Sequence, residues 1–435
     1  MTAASQPIAK SAAVTRMQAA FEHHTGSSMP VRQQAFALFS HNGFPGTRDE
    51  QWKYTNLRRL EAREFGTGQP GTPYQPETLK TADALQMVFV DGHYRSELSN
   101  VPAIAGLQIT TLSELQQSDQ TRLSEILAIP ANHRCRFVAL NTALTEDGVL
   151  IETGPGTKLD SPLVLEFFWN DAQRSLMAHP RIVIRAGKHS KLTVIERFTG
   201  SGTKVHFNNG VTTAQLAEGA HLEHCRIQNE NSSSFHIGLL YAELAEQATL
   251  LDHQINFGAA LARMDIHVLL NGRDARATLN GLQFATGTQH HDTHLQVEHC
   301  VPHTQSNEDY RGIADQRGRV VFNGKVHVHE KAIKTDAQQS SRNLLLSSTA
   351  EIDTKPELEI YNDDVKCAHG ATVGQLDANA LFYLRSRGLD ESQARALLTH
   401  AFANHIIAQL PVAELREQLT DAGHVRFGAQ LESAP

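Results

Sequence analysis

Cys367 and His369 are the most distinctive pair of chemically capable side chains in this 435-residue chain, and they lie in Val365-Lys366-Cys367-Ala368-His369-Gly370. Residues two apart project to the same side of an extended strand, so a thiolate and an imidazole would point together there. Sulfur and imidazole ligands suit iron, copper or zinc. Because two ligands do not close a metal site, any metal needs further ligands, most simply from another subunit. The alternative is ordinary packing of both residues at a domain junction.

Histidines are numerous, at 24, beside only 4 cysteines. Strand alternation places His327 and His329 on one face, so shared coordination of a metal is geometrically allowed. In a repetitive β structure, however, polar residues at equivalent positions of successive turns stack on the surface or hydrogen-bond the turns. We favour that interpretation and assign no ligand role to the densest group, which comprises His290, His291, His294, His299, Cys300, His303, His327 and His329.

Common catalytic and metal-binding motifs are missing from the sequence. Gly187-Lys188 and Gly324-Lys325 lack the residues of a phosphate-binding loop, so a partner would have to supply any ATP hydrolysis. There is no GxSxG of serine hydrolases and no HExxH of zinc peptidases. The dispersed cysteines form no CxxC, which argues against a disulfide framework and against a self-contained zinc or iron–sulfur motif.

Charge and hydropathy restrict the partners further. The chain has 39 basic and 47 acidic residues and a net charge of -8, which argues against a general affinity for nucleic acid or anionic lipid. No stretch approaches the roughly 18 consecutive apolar residues of a spanning helix, and the N-terminus lacks a standard signal. We therefore expect a cytoplasmic protein with no nucleic-acid and no membrane partner.

The elements that must position Cys367 and His369 fall into three regions. Residues 1–150 are expected to form a mostly helical N-terminal domain, residues 151–362 show alternating strand patterns, and residues 363–435 return to helical periodicity. Within the last region, Asp390 followed by Gln393 predicts the capped start of a long helix.

Shorter predictions complete this layout. In the N-terminal region we expect strands at Met87 to Val90 and at Phe137 to Leu140, a helix or helix pair at Leu112 to Leu127, and a Gly/Pro-rich linker at residues 66–76. In the C-terminal region the Asp390 helix should reach Leu410, and Pro411 should start another helix that runs through Leu419.

A weak repeat runs through the strand-rich region. Units of this length stack as turns of a β-solenoid, and since the hexapeptide repeat of left-handed acyltransferase helices is absent, we predict a right-handed or irregular β-helix. A large β-sandwich with chance spacing is the alternative. The repeat is a small residue, a polar residue and leucine at Ser190-Lys191-Leu192, Ala220-His221-Leu222, Ala248-Thr249-Leu250 and Ala277-Thr278-Leu279, with an apolar residue five beyond the last three leucines (Ile227, Ile255, Phe284) and a degenerate copy at Ala350-Glu351-Ile352.

The segment from Thr354 to Gly374 closely resembles the signature of the SufB/SufD family, whose members are subunits of the SUF iron–sulfur cluster assembly complex. The Lys-Cys-x-His-Gly form is that of the SufD branch, since the SufB branch has a Glu-His-Glu type sequence there. Three further stretches agree, so the resemblance spans nearly the whole chain: Arg48 to Leu57, Gly318 to Asp336, and Leu381 to Gly388.

This resemblance implies a right-handed parallel β-helix between helical terminal domains, in agreement with the predicted layout. It implies a non-catalytic scaffold that supports iron entry, pairs with a SufB-like paralogue through the β-helix and binds a SufC-like ABC ATPase through its C-terminal helices. Sulfur-delivery and cluster-carrier proteins would be indirect partners. The resemblance also allows a homodimer of the isolated chain and a reduced flavin in the complex, with no tightly bound cofactor on this chain alone.

Residue roles follow from the same resemblance. His369 matches the family histidine that faces a SufB cysteine at the nascent cluster site, and Cys367 matches the neighbouring metal-reactive cysteine. A transient cluster or iron shared with the partner is therefore expected at these two residues. The ATPase-docking region matches residues from about Gln375 to Ala401, and its expected partner-binding residues are Leu376, Leu381, Phe382, Leu384 and Arg385.

Two functions of other classes stay open at this point. A β-helix carbohydrate-active enzyme of the polysaccharide lyase type is usually exported and carries clustered acids in its groove, whereas the acids here are scattered. A purely structural adaptor would use Cys367 and His369 only for packing.

Overall fold

The structure is a computed structural model that describes residues 11–24, 29–68, 84–128, 135–170, 174–200 and 202–429. Helices and short strands precede its main β region. The helices are α1 (Ala12–Glu22), α2 (Pro30–Asn42), α3 (Arg58–Glu61), α4 (Leu112–Ser118), α5 (Gln120–Leu127) and α6 (Arg136–Leu144), and the strands are β1 (Gly66–Thr67), β2 (Leu85–Val90), β3 (His93–Tyr94) and β4 (Leu107–Thr111).

The main β region is a β-solenoid followed by three helices, α7 (Ala378–Ser386), α8 (Glu391–Ile407) and α9 (Ala413–Ala429). Its strands are β5 (Gly148–Thr153), β6 (Leu163–Trp169), β7 (Leu176–Ala178), β8 (Arg181–Ala186), β9 (Lys191–Gly200), β10 (Phe207–Leu216), β11 (His221–Asn229), β12 (Phe235–Leu244), β13 (Thr249–Asn256), β14 (Leu261–Leu270), β15 (Arg276–Ala285), β16 (His290–His299), β17 (Gln305–Ala314), β18 (Arg319–Val328), β19 (Asp336–Leu345), β20 (Glu351–Ile360) and β21 (Lys366–Gly374).

Successive long strands alternate between two sheets, which confirms the predicted solenoid. Sheet 1 has 11 strands and runs β20-β18-β16-β14-β12-β10-β8-β5-β4, with β1 and β7 at its side. Sheet 2 has 10 strands and runs β21-β19-β17-β15-β13-β11-β9-β6-β2-β3. Within the described residues, no helix has the length and apolar content needed to cross a membrane.

The predicted leucines line the interior of the solenoid. Leu192, Leu222 and Leu250 are in register on β9, β11 and β13, and all three belong to the central apolar cluster. The apolar residues five positions later face the opposite way, because side chains alternate along a strand. Ile227 and Ile255 accordingly pack with residues of α8 and α9 on the outer face of sheet 2.

Two copies of the predicted repeat need correction. Leu250 pairs with Ala277 rather than Leu279, so the fourth copy lies two residues out of register. A shift of two residues keeps each side chain on its face, and Leu279 is therefore still buried in the core. The degenerate copy at Ala350-Glu351-Ile352 is wrong, because β20 belongs to sheet 1 whereas the other copies belong to sheet 2.

The strand predicted at Phe137 to Leu140 is also wrong, because these residues lie in helix α6. Every residue of α6 from Phe137 to Leu144 is buried, so the helix shows no polar face from which its period could be recognised. The other predicted elements of this region, a strand at Met87 to Val90 and a helix pair at Leu112 to Leu127, are present.

Region boundaries shift at both ends of the solenoid. Strands β2 and β4 join sheets 2 and 1, so the N-terminal region contributes to the solenoid as well as to the helices. At the other end the strands continue through β21, and the helices begin at Ala378 rather than at residue 363. Helix α9 extends beyond the predicted end at Leu419, and the predicted linker lies outside the described residues from residue 69 onward.

A buried guanidinium docks the N-terminal segment on the outer face of sheet 1. The Arg263 guanidinium carbon lies 4.0 Å from the centroid of the Trp52 ring, and its Nη1 donates to the Gln51 carbonyl and to Asp292 Oδ2, each at 2.7 Å. The Thr55 hydroxyl donates to the same Asp292 oxygen. Although burial opposes ionisation, Arg263 and His294 hold the pKa of Asp292 well below its usual range.

A second interior column of sheet 2 is partly polar, and it consists in register order of Val194, His224, Asp252, Leu279, Glu308, Gln339 and His369. His224 lies between two carboxylates, with Nδ1 2.6 Å from Asp252 Oδ1 and Nε2 3.1 Å from Glu196 Oε1. Glu308 instead accepts hydrogen bonds from two neutral groups, the Gln339 amide and the Ser306 hydroxyl. Burial therefore raises the pKa of Glu308 to about 7.

We predict that Asp292→Asn weakens the docking of the N-terminal segment. The substitution removes one of the two carboxylates that pair with buried Arg263 and leaves only Asp265, and losing a hydrogen bond between charged groups typically costs about 1.5 to 3 kcal/mol. The urea midpoint, followed by circular dichroism, should fall clearly below that of the parent chain. Asp274→Asn is the matched control, because Asp274 lies in a turn with its side chain 44% exposed and should leave the midpoint unchanged. Equal midpoints for the parent and Asp292→Asn would contradict this account.

A second prediction concerns pH. Because the pKa of Glu308 is about 7 in the folded chain against an ordinary 4.5, folding stability should be lost as pH rises through this interval. Glu308→Gln removes that loss, so the variant should be more stable than the parent above pH 7 by up to about 3 kcal/mol. Below pH of about 4 the two should be equal. Thermal unfolding across this pH range measures the difference, and exposed Glu246→Gln should show none.

Candidate functional site

The segment with Cys367 and His369 forms β21, the last strand of sheet 2. Although residues 363–435 were expected to be helical, this segment is a strand, so both side chains project to one face. Register identifies that face, since Cys367 pairs with Ala337 and His369 with Gln339. Both residues therefore end columns of side chains that line the solenoid interior.

Cys367 is half-buried at the end of the column that begins at Leu192. It packs against a small apolar cluster that includes Val326, Val328 and Ala337. Burial raises the pKa of the Cys367 thiol, and the carboxylate of Asp336 adds to the increase. The sulfur is thus protonated at neutral pH in the isolated chain, and a cation that bound there would have to displace the proton.

His369 is exposed at the end of the polar column. The next residue inward, Gln339, is buried and donates its amide Nε2 to Glu308. The Gln339 Oε1 atom is buried and has no hydrogen-bond partner among the described residues. The imidazole consequently lies where the interior of sheet 2 opens to solvent. Polar groups lie on its N-terminal side along the solenoid axis, and no further turn of the solenoid covers its other side.

The two ends of the solenoid differ. At the N-terminal end, β3 and β4 pair antiparallel with β2 and β5, and five half-buried side chains close the core there, namely Tyr94, Val101, Ile104, Leu107 and Ile109. At the C-terminal end, β20 and β21 each pair on one side only within the described chain. Their outer edges carry unsatisfied backbone donors and acceptors, which is the usual template for adding another chain.

Exposed apolar side chains mark this open end. Ile360 is 40% exposed, Tyr361 59% and Val373 44%, and Ile333 lies in the neighbouring turn between β18 and β19 with 41% exposure. The only other large apolar side chains exposed to this extent in the described parts of the chain are on α7 and α8. Two apolar surfaces of this kind are typical of interaction sites rather than of a free monomer.

The second surface includes the partner-binding residues expected on α7. Phe382 is 74% exposed, and Tyr383 beside it and Leu397 on α8 are exposed as well. Leu381 and Leu384 are half-buried, whereas Leu376 packs against the cluster between α8, α9 and sheet 2. Arg385 lies 3.6 Å from Glu391 in an exposed ion pair. The expected residues thus separate into an exposed aromatic group and a supporting group.

The histidine-rich segment behaves mostly as the simpler interpretation expects. His290 bonds to the Thr55 hydroxyl at 2.8 Å, His291 to the Gly258 carbonyl at 2.8 Å, and His299 to the Thr304 hydroxyl at 2.8 Å. These contacts hold turns and the docked N-terminal segment. His327 and His329 lie on one outer face as predicted, with their ring centroids 4.3 Å apart.

Sequence reasoning did not identify the apolar rim of the open end. Ile360 and Val373 lie at strand positions, where an alternating pattern assigns apolar side chains to the core. One signal could have revealed this rim. No further alternating segment follows β21 before the helices, so β21 had to be the last strand.

Comparisons with known proteins cover nearly the whole chain. Residues 167–402 match the model described as "SUF system FeS cluster assembly, SufBD core domain", and residues 14–165 match "SufBD protein N-terminal region". The iron-sulfur cluster assembly protein SufD of Escherichia coli is 33% identical, over 93% of this chain and 92% of its own.

Two further relatives agree with this result. An iron-sulfur cluster assembly SufBD family protein of Synechocystis sp. is 33% identical over 89% of this chain and 88% of its own. The more distant SufB of Bacillus subtilis is 26% identical over 64% of this chain and 59% of its own. Together with the β-solenoid between terminal helices, these matches show that the chain belongs to the SufBD family of iron–sulfur cluster assembly proteins.

Proposed function

We propose that this chain is a non-catalytic scaffold subunit of the SUF machinery, which helps to build iron–sulfur clusters together with a SufB-like paralogue and a SufC-like ABC ATPase. The observation that carries this proposal is the position of Cys367 and His369, where two interior columns end at the open end of the solenoid. A second solenoid that docked there would bring its own ligands to the same place.

The open end suits a paralogue with the same fold. The free edges of β20 and β21 offer backbone hydrogen bonds to another pair of strands, and this kind of strand addition is a common mode of association. Ile360 and Val373 would be buried at the joint, each contributing roughly 1 kcal/mol, because less than half of each residue is left to bury. In the absence of the paralogue, two copies of this chain would use the same surface to form a homodimer.

Cys367 and His369 would supply one side of a nascent cluster site. Thiolate and imidazole are established ligands of iron–sulfur clusters, and the remaining ligands would come from the paralogue. Iron and sulfide are the cargo of this site, so it has to release as well as bind them. A ligand set divided between two subunits permits release when the subunits move apart. A reduced flavin in the complex stays a prediction.

The aromatic surface of α7 and α8 would dock the ATPase. Phe382 and Tyr383 are exposed side by side on α7, and aromatic residues are enriched at the centres of interfaces. The chain lacks a phosphate-binding loop, so nucleotide hydrolysis has to come from another subunit. We place this work in the cytosol, where the four free cysteines would stay reduced. Sulfur donors and cluster carriers would act on the assembled complex.

His369→Ala should lower the iron and acid-labile sulfide of the complex co-purified with its SufB-like and SufC-like partners by several-fold. The side chain is exposed, so the variant should fold and assemble normally, and the subunit ratio should stay unchanged. Cys367→Ser should reduce the cluster content in the same direction. The matched control is His221→Ala, a solenoid histidine on sheet 2 far from the open end. Unchanged iron and sulfide in His369→Ala would refute the proposed role.

A crossed pair of variants tests the two docking surfaces. Val373→Asp places a charge in the proposed solenoid joint and should weaken binding of the paralogue at least about tenfold, while ATPase binding persists. Phe382→Asp should have the opposite effect. Size-exclusion chromatography of the co-expressed subunits distinguishes the two losses. If Val373→Asp kept the paralogue, or if both variants lost the same partner, the assignment of the surfaces would be wrong.

A further inference from the structure

A group of metal-ligating side chains lies on the outer face of sheet 1, apart from Cys367 and His369. Glu298 is on β16, Cys300 follows that strand, and His329 follows β18. One ligand atom from each of the three residues lies within 4.8 Å of the other two. All three side chains are half-buried, so they are neither sealed in the core nor fully in solvent.

The parallel register brings these residues together. Glu298 pairs with His327 across β16 and β18, and continuing this register two residues further brings Cys300 opposite His329. The backbone N–H of His329 donates to the His299 carbonyl at 3.0 Å, which continues the ladder beyond the strand ends. Because Glu298 and Cys300 are two apart, both side chains project outward beside His329. The backbone therefore fixes the group.

The carboxylate of Glu298 is oriented from several directions. Its Oε1 lies 2.8 Å from His267 Nε2 and accepts a hydrogen bond from Gln296 Nε2 at 2.9 Å. Its Oε2 lies 3.1 Å from His329 Nε2. The contacts from His267 and Gln296 would hold this carboxylate in a fixed orientation towards a metal.

The surroundings suit a cation. The nearby ammonium of Lys325 is engaged by Glu359 at 2.8 Å, and Glu359 also pairs with His327 at 3.1 Å. Glu298 in addition lines a groove of about 530 Å³ whose other wall includes Trp52. A metal held by these three protein ligands would keep a fourth position open, as exchangeable and catalytic sites do and closed structural sites do not.

We propose that Glu298, Cys300 and His329 bind one divalent transition-metal ion of the zinc or ferrous class. One thiolate, one imidazole and one carboxylate form a mixed donor set that suits these borderline ions better than magnesium or calcium, which prefer oxygen ligands alone. The site does not depend on the proposed function, because none of its ligands belongs to the open end of the solenoid.

Cobalt(II) titration of the untagged full-length chain tests the site. One equivalent of Co²⁺ should bind and give a near-ultraviolet thiolate-to-cobalt charge-transfer band. Zn²⁺ should displace the cobalt, because zinc binds a site of this kind more tightly than cobalt does. Cys300→Ser should abolish the band, and His329→Ala should weaken binding by roughly 100-fold. His221→Ala, which removes a half-buried histidine on sheet 2, is the matched control and should keep both the band and the affinity.

The possible results distinguish metal binding at Cys300 from metal binding at Cys367. A band that survives in Cys300→Ser, or one lost only in Cys367→Ser, would assign the metal elsewhere and overturn the proposal. The absence of stoichiometric cobalt binding in the parent chain would show that Glu298 and His329 form an ion pair alone. If Cys300→Ser failed to fold by circular dichroism, His329→Gln would replace it, with the same expected loss of affinity and the same interpretation.

Discussion

The hydrogen-bond ladder between successive turns is the constraint on which the whole structure depends. Each strand of the solenoid pairs in parallel with the equivalent strands one turn before and one turn after. The backbone hydrogen bonds of every interior turn are therefore satisfied on both sides. The last turn, β20 and β21, has a neighbour on one side only. Cys367 lies on that turn with His369, so under the proposed function a single docking event would complete both the backbone ladder and the ligand set.

The same stacking explains how the interior tolerates polar side chains. A buried charge is costly unless it is paired, and register places complementary groups at equivalent heights of adjacent turns. His224 meets Asp252 in this way, whereas Glu308 meets only neutral partners and is held near its neutral form. The buried polar groups in this column of sheet 2 are therefore stabilised locally, by contacts between one turn and the next.

Sequence reasoning predicted much of this fold because strand alternation is a strong local signal. Leu192, Leu222 and Leu250 revealed the repeat, and the spacing of Cys367 and His369 indicated a shared strand face. Register was less accessible, since a shift of two residues keeps Leu279 inside and leaves the pattern unchanged. The all-buried helix α6 and the convergence of Cys300 with His329 depend on tertiary contacts that no local pattern contains.

The closed N-terminal end limits how many copies can associate. At that end the edge strands β3 and β4 are short and antiparallel and the half-buried side chains of Ile104 and Leu107 cover the core, whereas in the described part of the chain the C-terminal end carries the two long parallel edge strands. Subunits with a docking surface at each end stack head to tail into open filaments, whereas subunits with a docking surface at one end only form a closed pair. This difference between the two ends disfavours fibre growth.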